Sequence, residues 1–226
     1  MPGTAFFDMD RTLTRSGTWS RYMFSVNKTR PLFYLRLPLL AVHAIAYKLG
    51  FQSRQSVKEQ GLKTLRWADR KELEHAANRF AEREIQEGLR RRARAVLDKH
   101  RLAGDRLVMA TAAVDLVARP IAEKLGIEIV ICTELEWSEK GRLTGQLNGP
   151  NCYGAAKLDR IRAVAAEHQF QPPTTGYSDH VSDRPFLEWV DHGVAVNPSR
   201  GLARIADNAG FRIEDWEDDE MGVENS

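Results

Sequence analysis

The sequence predicts an α/β fold: a parallel sheet with helices on both faces, and an all-helical segment inserted after the first strand. Two observations carry that prediction. From residue 106 to about residue 208, short apolar runs alternate with segments of helical period. Before them, residues 18–101 hold no strand pattern, although a strand-like run, Thr4–Asp8, precedes that block. Strands that alternate with helices form parallel sheets covered on both faces. Such sheets bind ligands beyond the C-terminal ends of their strands.

The elements follow in order. Thr4-Ala-Phe-Phe-Asp8 is an apolar run ending in an acid, which reads as a buried strand with a functional C-terminal end. Trp19, Tyr22, Met23 and Val26 keep helical spacing, as do Leu73, Ala76, Ala77 and Phe80. Arg106–Ala110 is a strand, 114–125 a helix and Ile127–Ile131 a second strand. Residues 134–145 alternate around Lys140-Gly141, which predicts a β-hairpin. Gly154–Glu167 reads as a helix, Thr174–Ser178 as a strand, 183–190 as a helix, Gly193–Val196 as a last strand and Arg200–Asn208 as a closing helix. The core is thus expected at 1–13 and 102–213, with the helical insertion at 14–101. Residues 214–226 carry seven acids and few apolar groups, so a disordered tail is expected there.

A chain of 226 residues can bury one sizeable core and a smaller subdomain. With 42% hydrophobic and 28% charged residues it belongs with globular proteins and not with disordered or fibrous chains. Two cysteines, Cys132 and Cys152, cannot make a disulfide framework, which favours a reducing compartment and a cytoplasmic protein. The N-terminus has neither a basic n-region nor a long apolar h-region, which argues against a signal peptide. The net charge of +2 conceals an asymmetry: residues 15–101 hold 20 Lys and Arg against 8 Asp and Glu, while the rest is acidic. That basic block is either a surface facing anions or a set of helices with solvated faces.

Residues 31–50 are strongly apolar, but Arg36, His43 and Lys48 interrupt them and Pro38 is expected to kink them. Crossing a membrane takes about 20 apolar residues with few charges, so a span is not expected. Burial inside the helical block is the favoured expectation. An interfacial helix making peripheral membrane contact is the alternative.

The chemistry concentrates at two strand ends. Asp8-Met9-Asp10-Arg11-Thr12-Leu13 follows the first strand. Two carboxylates leaving a buried strand are costly unless a cation balances them, and oxygen ligands suit Mg²⁺. A carboxylate can also attack phosphorus and form an aspartyl-phosphate; the plain alternative is a polar turn. Asp179 and Asp183, four apart in Tyr177-Ser-Asp-His-Val-Ser-Asp183, flank another strand-to-helix turn. Asp179 can complete a metal site, and Asp183 can hold a water or a lysine or cap the following helix.

With these residues on view, the chain resembles the haloacid dehalogenase (HAD) superfamily, and most closely its phosphoserine-phosphatase-like subfamily IB. The family pattern Asp-x-Asp-x-Thr is matched by Asp8, Asp10 and Thr12. A Ser or Thr after the second strand is matched by Thr111, a Lys opening a helix by Lys157, and the paired acids by Asp179 and Asp183. The order and spacing are those of the family, over nearly the whole chain. The resemblance implies a Rossmann-like core with a helical cap and a Mg²⁺-dependent phosphatase. It implies catalytic roles for Asp8, Asp10, Thr111, Lys157 and Asp183. It implies a metal site at Asp8, the Asp10 main-chain carbonyl and Asp179, and phosphate contacts from Arg11, Thr111, the Ala112 backbone and Lys157.

Three departures stand out. Arg11 occupies a position that is often Gly in relatives. Tyr177-Ser178 precedes Asp179 where many relatives read Gly-Asp. Gly17 replaces the cap Glu that phosphoserine-specific enzymes carry. The expected substrate is therefore a small phosphomonoester other than phosphoserine. A lipid phosphate monoester and a phosphotransferase remain as alternatives. Arg15, Arg21 and Lys63 are the cap candidates for contacts near the phosphate. A non-enzymatic module that binds nucleic acid or anionic lipid through the basic segment is not expected, because no nucleic-acid motif occurs, the aromatics are not interleaved with a compact basic patch, and Asp8, Asp10, Thr111, Lys157 and Asp179 are all present. His180 is the histidine nearest the expected site, either touching substrate or lying in the loop.

Overall fold

The computed structural model describes residues 2–217. Strand β1 (Thr4–Phe7) is buried along its whole length. Five helices separate it from the next strand: α1 (Thr18–Asn27), α2 (Pro31–Lys48), α3 (Arg54–Leu62), α4 (Arg70–Arg83) and α5 (Ala93–Leu102). Then follow β2 (Arg106–Val114), α6 (Asp115–Lys124), β3 (Ile129–Thr133), β4 (Leu135–Trp137) and β5 (Leu143–Leu147). The chain continues through α7 (Ala155–His168), β6 (Thr174–Ser178), α8 (Arg184–Trp189), β7 (His192–Val196), α9 (Arg200–Ala209) and β8 (Arg212–Glu214).

Six strands form one parallel sheet in the order β3-β2-β1-β6-β7-β8. This is the predicted α/β fold with helices on both faces. Side chains alternate across β1: Phe7 joins Met109 and Tyr177 in one buried cluster, while Phe6 joins Val108, Phe186 and Leu202 in the other. β1 is flanked by β2 on one side and β6 on the other, and the strand order reverses there, so the C-terminal ends of these three strands are where such a sheet binds ligands. The predicted hairpin is present as β4 and β5, paired antiparallel.

Two expectations are corrected. The first concerns the tail. Residue 214 belongs to β8, which pairs with β7, and Trp216 is fully buried. Its amide donates to Asn197 Oδ1 (2.9 Å), its indole N–H donates to Glu214 Oε2 (2.7 Å), and its ring lies 5.4 Å from that of Tyr177. One large aromatic side chain with both polar partners outweighs the acidic composition around it. Residues 218–226 lie outside the described residues. The second correction concerns residues 31–50, which do not bury themselves in the helical block. α2 runs uninterrupted through Pro38, and of its residues only Phe33 is buried. No helix among the described residues is long and apolar enough to cross a membrane.

Candidate active site

Strand register assembles the site. Phe7 lies opposite Met109 on β2 and Tyr177 on β6, so Asp8 and Asp179, just past β1 and β6, come level with Thr111 in the last part of β2. The Asp8 amide donates to the Tyr177 carbonyl (2.9 Å) and is the last rung on that side. The chain then turns tightly. The Thr14 amide and hydroxyl both donate to the Met9 carbonyl, at 2.9 and 3.1 Å. Asp10 is extended, and Arg11 takes φ 67° and ψ 0°. That is the left-handed region, which explains why glycine suits this position. Arg11 is exposed, and its guanidinium acts on Asp179 and opposes the rise of that acid's pKa.

Lys157 is the centre of the cluster. It is 2% exposed. Its ammonium donates to Asp8 Oδ1 (2.9 Å) and Asp183 Oδ2 (2.6 Å). Burial alone would lower this ammonium's pKa, but Asp183 and Asp8 outweigh it and hold the pKa above the usual lysine range. Gly154 is the N-cap of the helix that carries the lysine, and its carbonyl accepts from the Lys157 amide (3.1 Å). At φ 59° and ψ −129°, it takes a backbone shape closed to L side chains, and α7 starts from it.

The carboxylates are held differently. Asp183 Oδ2 also accepts from the Ser178 hydroxyl (2.7 Å), while its buried Oδ1 has no partner. Asp183 precedes α8 without a side-chain cap bond, so its carboxylate serves the cluster and not the helix. Asp8 Oδ2 accepts from Thr12 Oγ1 at a long 3.4 Å. Burial pushes the Asp8 carboxyl up to about 7; Lys157 opposes this, and Asp183 and Asp179 add to it. Asp179 rises to about 6, by burial and then by Asp183. Asp10 Oδ1 accepts from the Thr18 amide and hydroxyl, both at 2.8 Å, which ties it to the first turn of α1. Burial raises its pKa against those two bonds.

Thr111 is fully buried within β2, and its hydroxyl accepts from the Ala113 amide (3.1 Å). It does not cap α6, whose N-cap is Val114. Ala112 is half-buried, and its carbonyl accepts from Lys58 Nζ (2.6 Å) and Thr133 Oγ1 (3.0 Å).

Lys58 and its neighbour Arg54 were not among the sequence-derived candidates. Lys58 is buried on α3 and reaches across to Ala112 and to Asn151 Oδ1 (2.5 Å), joining the helical segment to the sheet. Burial and the Arg54 charge lower its pKa to about 8, while Asp10 opposes them. The Arg54 guanidinium lies 4.3 Å from the Tyr153 ring centre and also depresses His180, after burial. The signal available in sequence was their spacing of four, which puts both cations on one face of α3. The three cap candidates proposed instead are engaged elsewhere: Arg15 with Glu217, Arg21 with Glu84 and Lys63 with Gln60. The His180 Nδ1 accepts from the Ser182 amide at 3.2 Å, which places the histidine in the loop beside the site.

Tyr177-Ser178 has its own logic. The Tyr177 ring stacks on Phe7 at 4.8 Å and 3°, and its hydroxyl meets His100 Nε2 (2.9 Å). The Ser178 hydroxyl orients Asp183. The two cysteines are buried, and burial pushes both thiols up, away from nucleophilic chemistry.

A divalent cation fits this donor set. Asp8 and Asp183 share the Lys157 ammonium, and Asp179 lies near enough for its charge to act on Asp8. Burial and mutual repulsion raise Asp8 and Asp179, and one buried oxygen of Asp183 is unpartnered. Among the described residues no three acidic, His or Cys side chains converge on one point. A hard cation that takes one or two carboxylates and fills its remaining positions with carbonyl and water suits the site better than one caged by side chains.

A family model described as haloacid dehalogenase-like hydrolase matches residues 5–188. The chain is 30% identical over 211 residues to Protein CicA of Caulobacter vibrioides, covering 92% of this chain and 84% of that protein. It is 28% identical over 222 residues to phosphoserine phosphatase SerB1 of Mycobacterium tuberculosis, covering 96% and 71% respectively. A solved structure of a protein of unknown function from Bordetella pertussis Tohama I superposes with a TM-score of 0.85 at 28% identity, covering 96% of this chain and 99% of that one.

Proposed function

We propose that this chain, which belongs to the haloacid dehalogenase-like hydrolase family, hydrolyses phosphomonoesters through a covalent phosphate on Asp8, with Mg²⁺ as cofactor. The observation that carries the reading is the buried ammonium of Lys157 between Asp8 and Asp183. An Asp8 oxygen attacks phosphorus, and the bond from phosphorus to the alcohol oxygen breaks. The Asp10 carboxyl, its pKa raised by burial, gives its proton to the leaving alcohol. The resulting Asp10 carboxylate then takes a proton from water. That water's oxygen attacks the phosphorus, and the acyl-phosphate bond breaks, which releases phosphate and restores Asp8.

Lys157 neutralises the phosphoryl oxygens, and the Thr111 hydroxyl and nearby amides hold them. Asp183 and Ser178 orient Lys157. Asp8, the Asp10 main-chain carbonyl and Asp179 would hold Mg²⁺, which when bound lowers the repulsion between carboxylate and phosphate.

The proposed substrate is a small phosphomonoester other than phosphoserine. Gly17, the N-cap residue of α1, offers no carboxylate for a substrate amine, and a Cβ there would meet nothing within 4 Å. Arg54 and Lys58 make the facing wall of α3 cationic, which suits an anionic substrate. A lipid phosphate is favoured second, by the exposed apolar surface of α2.

Phosphate release from an aryl phosphate, phosphoserine and other small phosphomonoesters, with and without Mg²⁺, tests the proposal. Mg²⁺-dependent release by the wild type that Asp8→Asn abolishes is the expected result. Release that survives in Asp8→Asn overturns the covalent step. Transfer to added alcohols in preference to water overturns hydrolysis and makes the chain a phosphotransferase.

A further inference from the structure

Helix α2 displays its apolar side chains to solvent. Leu32, Leu35, Leu39, Val42 and Ile45 are all exposed, Leu35 at 76%. They recur at intervals of three and four, so they form one stripe along the helix. The stripe continues past the helix end through Leu49 and through Phe51, which is 80% exposed. Scattered exposed leucines are ordinary, but a contiguous stripe along about five turns marks an interaction surface.

Charge identifies what covers it. No Asp or Glu occurs from Arg11 to Lys58, a run of 48 residues holding nine Lys and Arg. Four of those cations, Lys28, Arg30, Arg36 and Lys48, are exposed around the stripe or just beyond its ends. A second copy of the chain would bring this basic rim against another basic rim. An apolar stripe edged by Lys and Arg alone fits a surface that is anionic at its rim and hydrocarbon beneath, the pattern of a helix lying in a bilayer interface.

We propose that α2 docks this protein peripherally onto an anionic membrane, with the leucine stripe entering the acyl boundary and the flanking cations meeting lipid phosphates. The helix lies in the interface and does not cross it, in keeping with its charges. The inference is independent of the catalytic reading, since no residue of the stripe belongs to the site. Arg54, three residues after Phe51, lies on the side of α3 that faces the site.

Sedimentation with vesicles of equal parts phosphatidylglycerol and phosphatidylcholine, and with pure phosphatidylcholine vesicles, tests this. The wild type is expected to pellet with the anionic vesicles, and its bound fraction is expected to fall as salt rises, because screening shortens from about 10 Å at 0.1 M to about 3 Å at 1 M. Replacing Leu35→Asp together with Leu39→Asp is expected to weaken binding at least about tenfold. Aryl phosphate turnover and the thermal midpoint are expected to stay unchanged, because both leucines are exposed. The milder pair Leu35→Ser and Leu39→Ser is expected to weaken binding in the same direction. Equal binding to both vesicle types overturns the anionic partner. A wild type that ignores vesicles but migrates as a dimer, which the Asp pair dissociates, overturns the membrane and assigns the stripe to a second copy.

Discussion

Replacing Lys157 by Met tests the electrostatics of the site directly. The side chain is nearly isosteric up to the ammonium, so the change removes charge and two hydrogen bonds, at 2.9 Å to Asp8 and 2.6 Å to Asp183, with little change in volume. Removing one partner from a buried ion pair costs about 3–5 kcal/mol, because the other partner is left buried and unpaired. Asp183 keeps only the Ser178 hydroxyl, and Asp8 keeps only the long contact from Thr12. Asp8 is then expected to titrate still higher than its present value of about 7. An acid whose folded pKa lies above its unfolded value binds more protons when folded, so stability falls as pH rises between the two values. The destabilisation in Lys157→Met is therefore largest above pH 7 and shrinks toward pH 5. For catalysis, losing one group that stabilises the phosphoryl charge is expected to lower kcat by about 10²–10³. Urea unfolding at several pH values and phosphate release from an aryl phosphate are the assays. A variant with wild-type turnover, or one whose urea midpoint matches the wild type at pH 8, refutes the assignment of Lys157 as the counter-charge.

Other perturbations separate the remaining roles. Asp10→Asn keeps an acceptor for the Thr18 amide and hydroxyl, so the thermal midpoint should hold while turnover falls about 10²–10⁴; the loss should be smaller for esters with good leaving groups, as stopped assays across a leaving-group series would show. Gly154→Ala forces a side chain into φ 59° and ψ −129°; it should destabilise by about 1–3 kcal/mol in denaturant titration and lower turnover through a displaced Lys157. Lys58→Met should loosen the contact between α3 and the sheet and raise protease cleavage within residues 18–102. The wild-type Lys58, lowered to about 8, releases its proton earlier in the folded state than in the unfolded state. Stability should therefore rise with pH between about 8 and 10.5 from this group, and Lys58→Met should remove that rise in chemical denaturation. Added Mg²⁺ competes with protons on Asp8 and Asp179, so the shift in thermal midpoint that it produces should grow from pH 5 to pH 8.

Where function and strand ends coincide, the sequence was legible. Asp8 and Asp179 each follow a strand pattern and Thr111 follows the apolar run Leu107–Ala110, and a parallel sheet brings such positions together whatever separates them in the chain. Lys157 was legible through its motif, yet its burial between two acids is a tertiary fact that no local pattern encodes. Lys58 was missed because a lysine on a polar helix reads as a solvated one; only the folded chain shows that it reaches the Ala112 carbonyl. Trp216 was missed because the acidic residues around it dominate the composition. Residues 31–50 misled for a related reason: apolar composition says that a segment seeks a nonaqueous surface, not that the surface belongs to the same chain. The Arg11 and Tyr177-Ser178 departures show how side chains can replace glycine. Arg11 accepts a left-handed backbone, and Ser178, directly before Asp179, turns its hydroxyl to Asp183.

The two halves of the chain divide the electrostatic work. The sheet supplies the acids, Asp8, Asp179 and Asp183, which are suited to attack and to holding a cation but repel a phosphate dianion when bare. One buried ammonium cannot balance three carboxylates. The inserted segment opposes them with a run that contains no acid from Arg11 to Lys58 and directs Arg54 and Lys58 toward the same crevice. On the proposed function, such a positive field over a negative floor would draw an anion inward, and Lys157 would take up part of its charge at the cluster. This explains why the segment's basic excess is spread along its length and not gathered into one patch. Part of it faces the crevice, as Arg54 and Lys58 do, and part edges the exposed stripe of α2.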